Sequence, residues 1–203
     1  SFVEVPRQRN PRAENALLKA GQSPTEWSAK KRAHKDVDAR WTKKNGQAFY
    51  GYKDHLKVNR VTKLIETAAV TTASGHDSQA VDGLVQAGDV VMYGDSAYAS
   101  ARLTELLDGR GVGTVVVQKA VRGRPLNETD RQENRLISRT RARVEHAFAV
   151  MSGQAGRIFQ RYVGLARNRA AIHLLNLCYT LQRCETILRL KLHPLPHARG
   201  PPT

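Results

Sequence analysis

The run Val90-Val-Met-Tyr93 limits the choice of fold more than any other stretch. Four apolar residues in a row show no alternation and are too few for a helix. They read as a short strand buried on both faces. A strand of that kind belongs to a sheet with helices packed on it, which points to an α/β layered domain. Gly94 ends the run and Asp95 follows. In open α/β sheets, ligands collect outside the carboxyl ends of the strands, so Asp95 stands where a carboxylate can hold a cation. An Asp at such a position also suits a solvated acid or a helix cap, and the residue alone leaves both readings open.

The surrounding pattern supports the layered reading. Ser1 to Val5 alternates apolar and polar like the end of a strand, and Pro6 stops it. Residues 7–47 are polar and basic, with Leu17, Leu18, Trp27 and Trp41 as the few apolar anchors. They read as a long insertion with one short helix near 12–20. Residues 48–58 and 63–72 read as two strands, with Asn59-Arg60 suited to a tight hairpin turn. Asp77 suits a helix N-cap, with Ala80, Val81, Leu84 and Val85 on one face and Gly88 closing the helix. After the Asp95 strand come a helix near 99–108, a further buried strand at 114–118 and a basic turn at 119–125. From Thr129 the period is helical, with Leu136, Val144, Phe148 and Met151 on one stripe. A last helix over 168–192 places Ala171, Leu174, Cys178, Leu181 and Leu188 on one face. The tail from His193 carries Pro196, Pro201 and Pro202 and reads as disordered. An antiparallel opening followed by alternating helices and strands gives a mixed sheet flanked by helices, in one domain over 1–192.

Charge decides the class of partner. Thirty-three Lys plus Arg against 18 Asp plus Glu leave a net charge of +15 over 203 residues. Such a field attracts polyanions and says little about fold; nucleic acid is the first partner to consider. Cys178 and Cys184 are six apart in a helical pattern, which suits neither a disulfide framework nor a zinc site. They read as buried packing residues in a reducing compartment. No apolar run approaches the ~18 residues of a membrane span, and no signal peptide is legible. The chain starts without Met, so its true beginning is expected upstream.

Glu145 is the second candidate acid. Arg141 lies four residues earlier, so the two side chains share a helix face and can pair. Glu145 sits at the border of the Val144–Phe148 stripe, where it can point into a cleft; a surface ion pair is the plainer alternative. Taken together, Asp95 and Glu145 come from separate elements. Two such carboxylates, with others, can hold two Mg²⁺ ions, with Mn²⁺ as a substitute, for in-line displacement at phosphorus. Arg131, Arg135, Arg139 and Arg143 surround Glu145, and so many cations with few acids repel one another unless phosphate lies nearby. Arg122-Gly-Arg124-Pro resembles the core of a minor-groove hook, although a basic surface turn explains it as well. Lys53 and His55 share one strand face, and either could meet a phosphate. His76-Asp77 could be metal ligands, but capping accounts for Asp77. Gly109-Arg-Gly-Val-Gly113 precedes a strand, so it is no dinucleotide fingerprint.

Five stretches, in this order, resemble the DDE transposases of small bacterial insertion sequences, in the branch built around insertion sequence five. They are Gly51-Tyr-Lys-Asp-His55, Thr72-Ala-Ser-Gly-His-Asp-Ser78, Tyr93-Gly-Asp95-Ser-Ala-Tyr98, Arg141-Ala-Arg-Val-Glu-His-Ala-Phe148 and Arg161-Tyr-Val-Gly-Leu-Ala-Arg-Asn168. The resemblance implies a ribonuclease-H-like fold and metal-dependent DNA cleavage and strand transfer. Asp95 matches the family's second catalytic Asp, Glu145 its catalytic Glu, and Arg141 the arginine of the signature around that Glu. Ser138 stands where a tyrosine is expected, and Ser152 where a lysine is expected. The first catalytic Asp falls one or two residues before Ser1. Asp36, Asp38 and Asp54 lie near in sequence, but none ends the first strand. The implied partner is DNA, held by residues that include Lys53, His55, Arg122, Arg124, Arg139 and Arg143. A homo-oligomer on DNA and a cytoplasmic, nucleoid-associated location are also implied. An inactive DNA-binding remnant of a transposase, lacking the first catalytic Asp, is the alternative.

Overall fold

The computed structural model describes residues 1–95, 98, 100–120, 125–153 and 156–192. Its frame is β3 (Gln47–Val58), a strand of 12 residues. Along one edge of β3 run β2 (Arg40–Lys44) and then β4 (Ile65–Thr72), both antiparallel. The other edge carries β1 (Phe2–Glu4), antiparallel to β3 and parallel to β7 (Ile158–Phe159). The result is a mixed sheet of five strands. Alternation along β3 sends Tyr50, Tyr52 and Asp54 to one face, all buried, and Lys53 and His55 to the other. Gly51 permits the close approach of β1 to β3. Its φ is +144°, and a Cβ there would collide with the Val3 carbonyl oxygen.

Helices cover both faces. On one, α5 (Glu128–Ser152) supplies Phe148 and Met151, and α6 (Leu165–Arg189) supplies Leu165, Ile172 and Leu175, to a core built on Val3, Tyr50, Tyr52 and Val70. On the other, α3 (Asp77–Leu84) packs on β3 and β4. Beside this body lies a parallel pair, β5 (Val91–Gly94) and β6 (Gly113–Val116), joined through α4 (Ala101–Asp108). Val81 of α3, Leu103 and Leu107 of α4, and Val112 form its own small core. A mixed sheet flanked by helices is therefore the architecture, as a ribonuclease-H-like fold requires.

Several local expectations are corrected. The insertion holds α1 (Arg12–Lys19), as expected, but also α2 (Ala29–His34) and β2. The connection after β3 spans residues 59–64. Asn59 Oδ1 accepts from Val61 and Thr62 N–H, and Lys63 adopts a positive φ of 61°. The β5–β6 pair is covered on one face alone: Val90 and Val91 are exposed, and residues 114–117 are half-buried. On α6 the inward face is Asn168, Ile172, Asn176 and Tyr179. Leu174, Leu181 and Leu188 point outward, as does Leu136 on α5. Cys178 is exposed and Cys184 half-buried, so neither is a core residue. The tail at 193–203 lies outside the described residues.

Candidate active site

Asp95 follows β5 because Gly94 closes the strand under the Tyr98 ring, where a Cβ would be too tight. Glu145 is placed by α5, whose start is fixed by a capping box. Asn127 Oδ1 accepts the Asp130 N–H at 2.7 Å, and Asp130 Oδ2 accepts the Asn127 N–H at 3.0 Å. At its far end Phe148 and Met151 lock the helix to the main core. Two elements with separate cores thus bring two carboxylates to one guanidinium. Arg141 Nη1 lies 3.9 Å from Asp95 Oδ2, and Arg141 Nη2 lies 3.4 Å from Glu145 Oε1. Arg141 Nε is buried and has no hydrogen-bond partner among the described residues. Asp95 and Glu145 keep 46% and 62% of their side-chain surface open, so both ion pairs to Arg141 are loose and wet.

A second polar cluster adjoins this one. Lys53 Nζ donates to the Gly75 carbonyl at 2.7 Å and sits 3.0 Å from Asp77 Oδ1. Buried His55 meets Thr71 Oγ1 at 2.8 Å and faces Asp77 at 3.8 Å. Burial holds the His55 imidazole down to about 4, with Asp77 opposing the shift. Burial also pushes the Tyr98 phenol up to about 12, helped by the fields of Asp77 and Asp95.

Of the residues singled out from sequence, the fold brings Asp95, Arg141 and Glu145 together. It seats Lys53 and His55 in the adjoining cluster, with the Lys53 ammonium engaged by protein oxygens. Arg139 and Arg143 are exposed on α5. Arg122 and Arg124 lie outside the described residues. Among the described residues no three His, Cys, Asp or Glu side chains gather as a metal site.

Sequence reasoning gave no role to the buried acids Asp36 and Asp54. Asp36 Oδ1 accepts from the Asp38 and Ala39 N–H groups and Oδ2 from Gly164 N–H, and both oxygens take the Tyr52 hydroxyl, at 2.7 and 2.8 Å. Asp54 faces α6, where Asn176 Nδ2 donates to Oδ1 at 3.2 Å and Oδ2 has no hydrogen-bond partner among the described residues. The one signal within reach was the spacing in Asp36-Val-Asp38, the pattern of a local turn that can cap a distant helix.

A mixed sheet with helices on its faces, with two acids near one arginine at a strand end, is compatible with the DDE family that the sequence resembles. The comparison with protein families agrees: residues 12–181 match the model described as "Transposase DDE domain", and the chain belongs to that family. It is 32% identical over 156 residues to the transposase for insertion sequence element IS1106 of Neisseria meningitidis serogroup B. That alignment covers 76% of this chain and 54% of the relative, so the chain spans about half the length of the curated relative it matches. No solved structure matches.

Proposed function

We propose that this chain is the catalytic domain of a DNA transposase, which cleaves a phosphodiester bond and joins the freed 3′-hydroxyl to a second DNA. The observation that carries the reading is the meeting of Asp95 and Glu145 across Arg141, at 3.9 and 3.4 Å, in a member of the DDE family. Members of that family are metal-dependent. The donor set fits a hard cation that keeps several waters and takes the rest of its oxygens from substrate phosphate. Asp95 and Glu145 would hold Mg²⁺, or Mn²⁺ in its place. Once bound, such an ion polarises phosphoryl oxygens and activates the attacking water or hydroxyl.

The chain's own residues do the rest. Arg141 keeps both carboxylates turned toward one point and offers a fork of donors to a phosphate that enters there. Arg139, Arg143 and Lys119 add positive field along the approach, and Lys53 braces Asp77 behind Tyr98. Two transposon ends held at once imply a homo-oligomer on DNA. The site of action is the bacterial cytoplasm, where the DNA lies. The test is nicking of supercoiled plasmid in Mg²⁺. Asp95→Asn and Glu145→Gln each drop nicking to background while DNA binding persists. Nicking that survives Asp95→Asn overturns the reading.

A further inference from the structure

We infer that the first half of α5 is a track for consecutive phosphates of one DNA strand, on the helix that also carries Glu145. The inference rests on reading Asp95 and Glu145 as the cutting site, and it assigns residues that lie outside it.

Arg131, Arg135 and Arg139 recur every fourth residue along one exposed side of α5. Each step of four climbs about 6 Å along the axis, the scale of neighbouring phosphates on a single strand. With Asn134 and Ser138, these arginines line one open concavity. At about 100° per residue, Arg131 projects roughly 40° from Glu145, Arg135 roughly 80° and Arg139 roughly 120°. The row therefore winds away from the Glu145 side as it climbs, and its near end lies about two turns from that acid.

Arg135 and Arg139 have no ion pair among the described residues. Arg131 has Glu128 at 3.6 Å, with both side chains about 60% exposed, too wet a pair to hold it. Three guanidinium groups in register repel one another in the absence of a polyanion. A second observation extends the basic surface. Asn134 clamps the end of β6: the Gln118 N–H donates to its Oδ1 at 2.8 Å, and its Nδ2 donates to the Gln118 carbonyl at 3.0 Å. Exposed Lys119 follows at once, so a second chain segment delivers positive charge beside the row. A repeating row suits a repeating polyanion better than a lone phosphate, and guanidinium forks suit phosphate oxygens.

The experiment measures binding of a short mixed-sequence DNA duplex by fluorescence anisotropy across a salt series. The triple variant Arg131→Gln/Arg135→Gln/Arg139→Gln is compared with a control, Lys19→Gln/Lys30→Gln/Arg32→Gln, which removes the same charge from exposed positions on α1 and α2. Each phosphate contact contributes about 0.9 to the slope of log K against log salt, so the α5 variant should lose roughly 2 to 3 units of slope. The control should lose far less. Both are surface changes, and unchanged circular dichroism and melting midpoint establish that each folds. An unchanged slope in the α5 variant, an equal loss in the control, or row-dependent preference for RNA over DNA overturns the track. Asp95→Asn separates this from the catalytic reading. It should abolish nicking and keep the full slope. Nicking retained by Asp95→Asn, beside a slope lost in the α5 variant, would sink the catalytic assignment and leave the track standing.

Discussion

Asp54 and His55 are adjacent in sequence, face opposite sides of β3, and titrate in opposite senses. Burial pushes the Asp54 carboxyl up to about 6 from an ordinary 3.8, against the Asn176 hydrogen bond. Burial pulls the His55 imidazole down to about 4 from 6.5. Asp54's favourable contribution is complete below pH 3.8 and is lost as pH rises through about 6, because the folded state then carries a buried charge. His55's is complete above pH 6.5 and is lost as pH falls through about 4. At about 1.4 kcal/mol per unit, each is worth roughly 3 kcal/mol, and over the shared window they oppose each other. Urea midpoints measured from pH 4 to 7.5 test this. Wild type should vary little from these two groups, Asp54→Asn should become acid-labile below pH 6.5, and His55→Gln should gain stability as pH falls from 6. Parallel profiles for all three proteins would show that the two burials are not felt. The sequence gives both residues as polar members of a strand, and nothing in it reveals that Asn176, 122 positions away, closes over Asp54.

Among the elements, α6 is held at its start by a segment that reads as mere insertion. The Gly164 N–H donates to Asp36 Oδ2 at 3.0 Å and the Leu165 N–H to Asp38 Oδ2 at 2.8 Å, which places two carboxylates on the positive end of the helix. Gly164 makes the approach with a φ of +87°. Asp36→Ala strips the acceptor from the fully buried Tyr52 hydroxyl and from three backbone N–H groups. Each orphan costs about 1–3 kcal/mol, so a loss of more than about 3 kcal/mol is expected. Tyr52→Phe should cost less, since Asp36 keeps its backbone donors. Chemical denaturation compares the two, and a mild Asp36→Ala would refute the clamp. The same helix shows where periodicity misleads. The leucines at 174, 181 and 188 form a stripe that faces solvent at 61%, 60% and 77% exposure, whereas Ile172 is fully buried. The seven-residue rhythm marks an apolar face without saying which way it points. The inward face is set by Asn168 and Asn176, whose partners are backbone carbonyls and Asp54. Ile172→Ala should therefore cost about 2–5 kcal/mol, and Leu181→Ala well under 1. The strands β3 and β4 were legible because their alternation is local. The short β2 and α2 were not, because their order comes from β3 and the insertion's own packing.

At the scale of the molecule, the site joins two bodies. Asp95 belongs to the β5–α4–β6 unit with its own core, and Glu145 to a helix anchored in the main sheet. Arg141 spans them at distances too long for strong bonds. A divalent cation taken by both acids would be a better staple, because it carries twice the charge and sits between the oxygens instead of beside them. Binding to the folded state alone raises stability by RT ln(1 + [L]/Kd), about 2.7 kcal/mol at a hundred times Kd. Mg²⁺ should then raise the melting midpoint of the wild type, reversibly on chelation, at ionic strength matched with NaCl. Asp95→Asn and Glu145→Gln should each shrink the shift, since each removes one leg of the staple. Arg141→Gln should enlarge it, because the guanidinium competes with the metal for the same two carboxylates. That opposite sign separates a bound ion from general screening of the +15 charge, which would move all four proteins alike. Equal shifts in the four would mean that Mg²⁺ acts on the field of the whole surface, and that Asp95 and Glu145 meet Arg141 only as surface ion pairs.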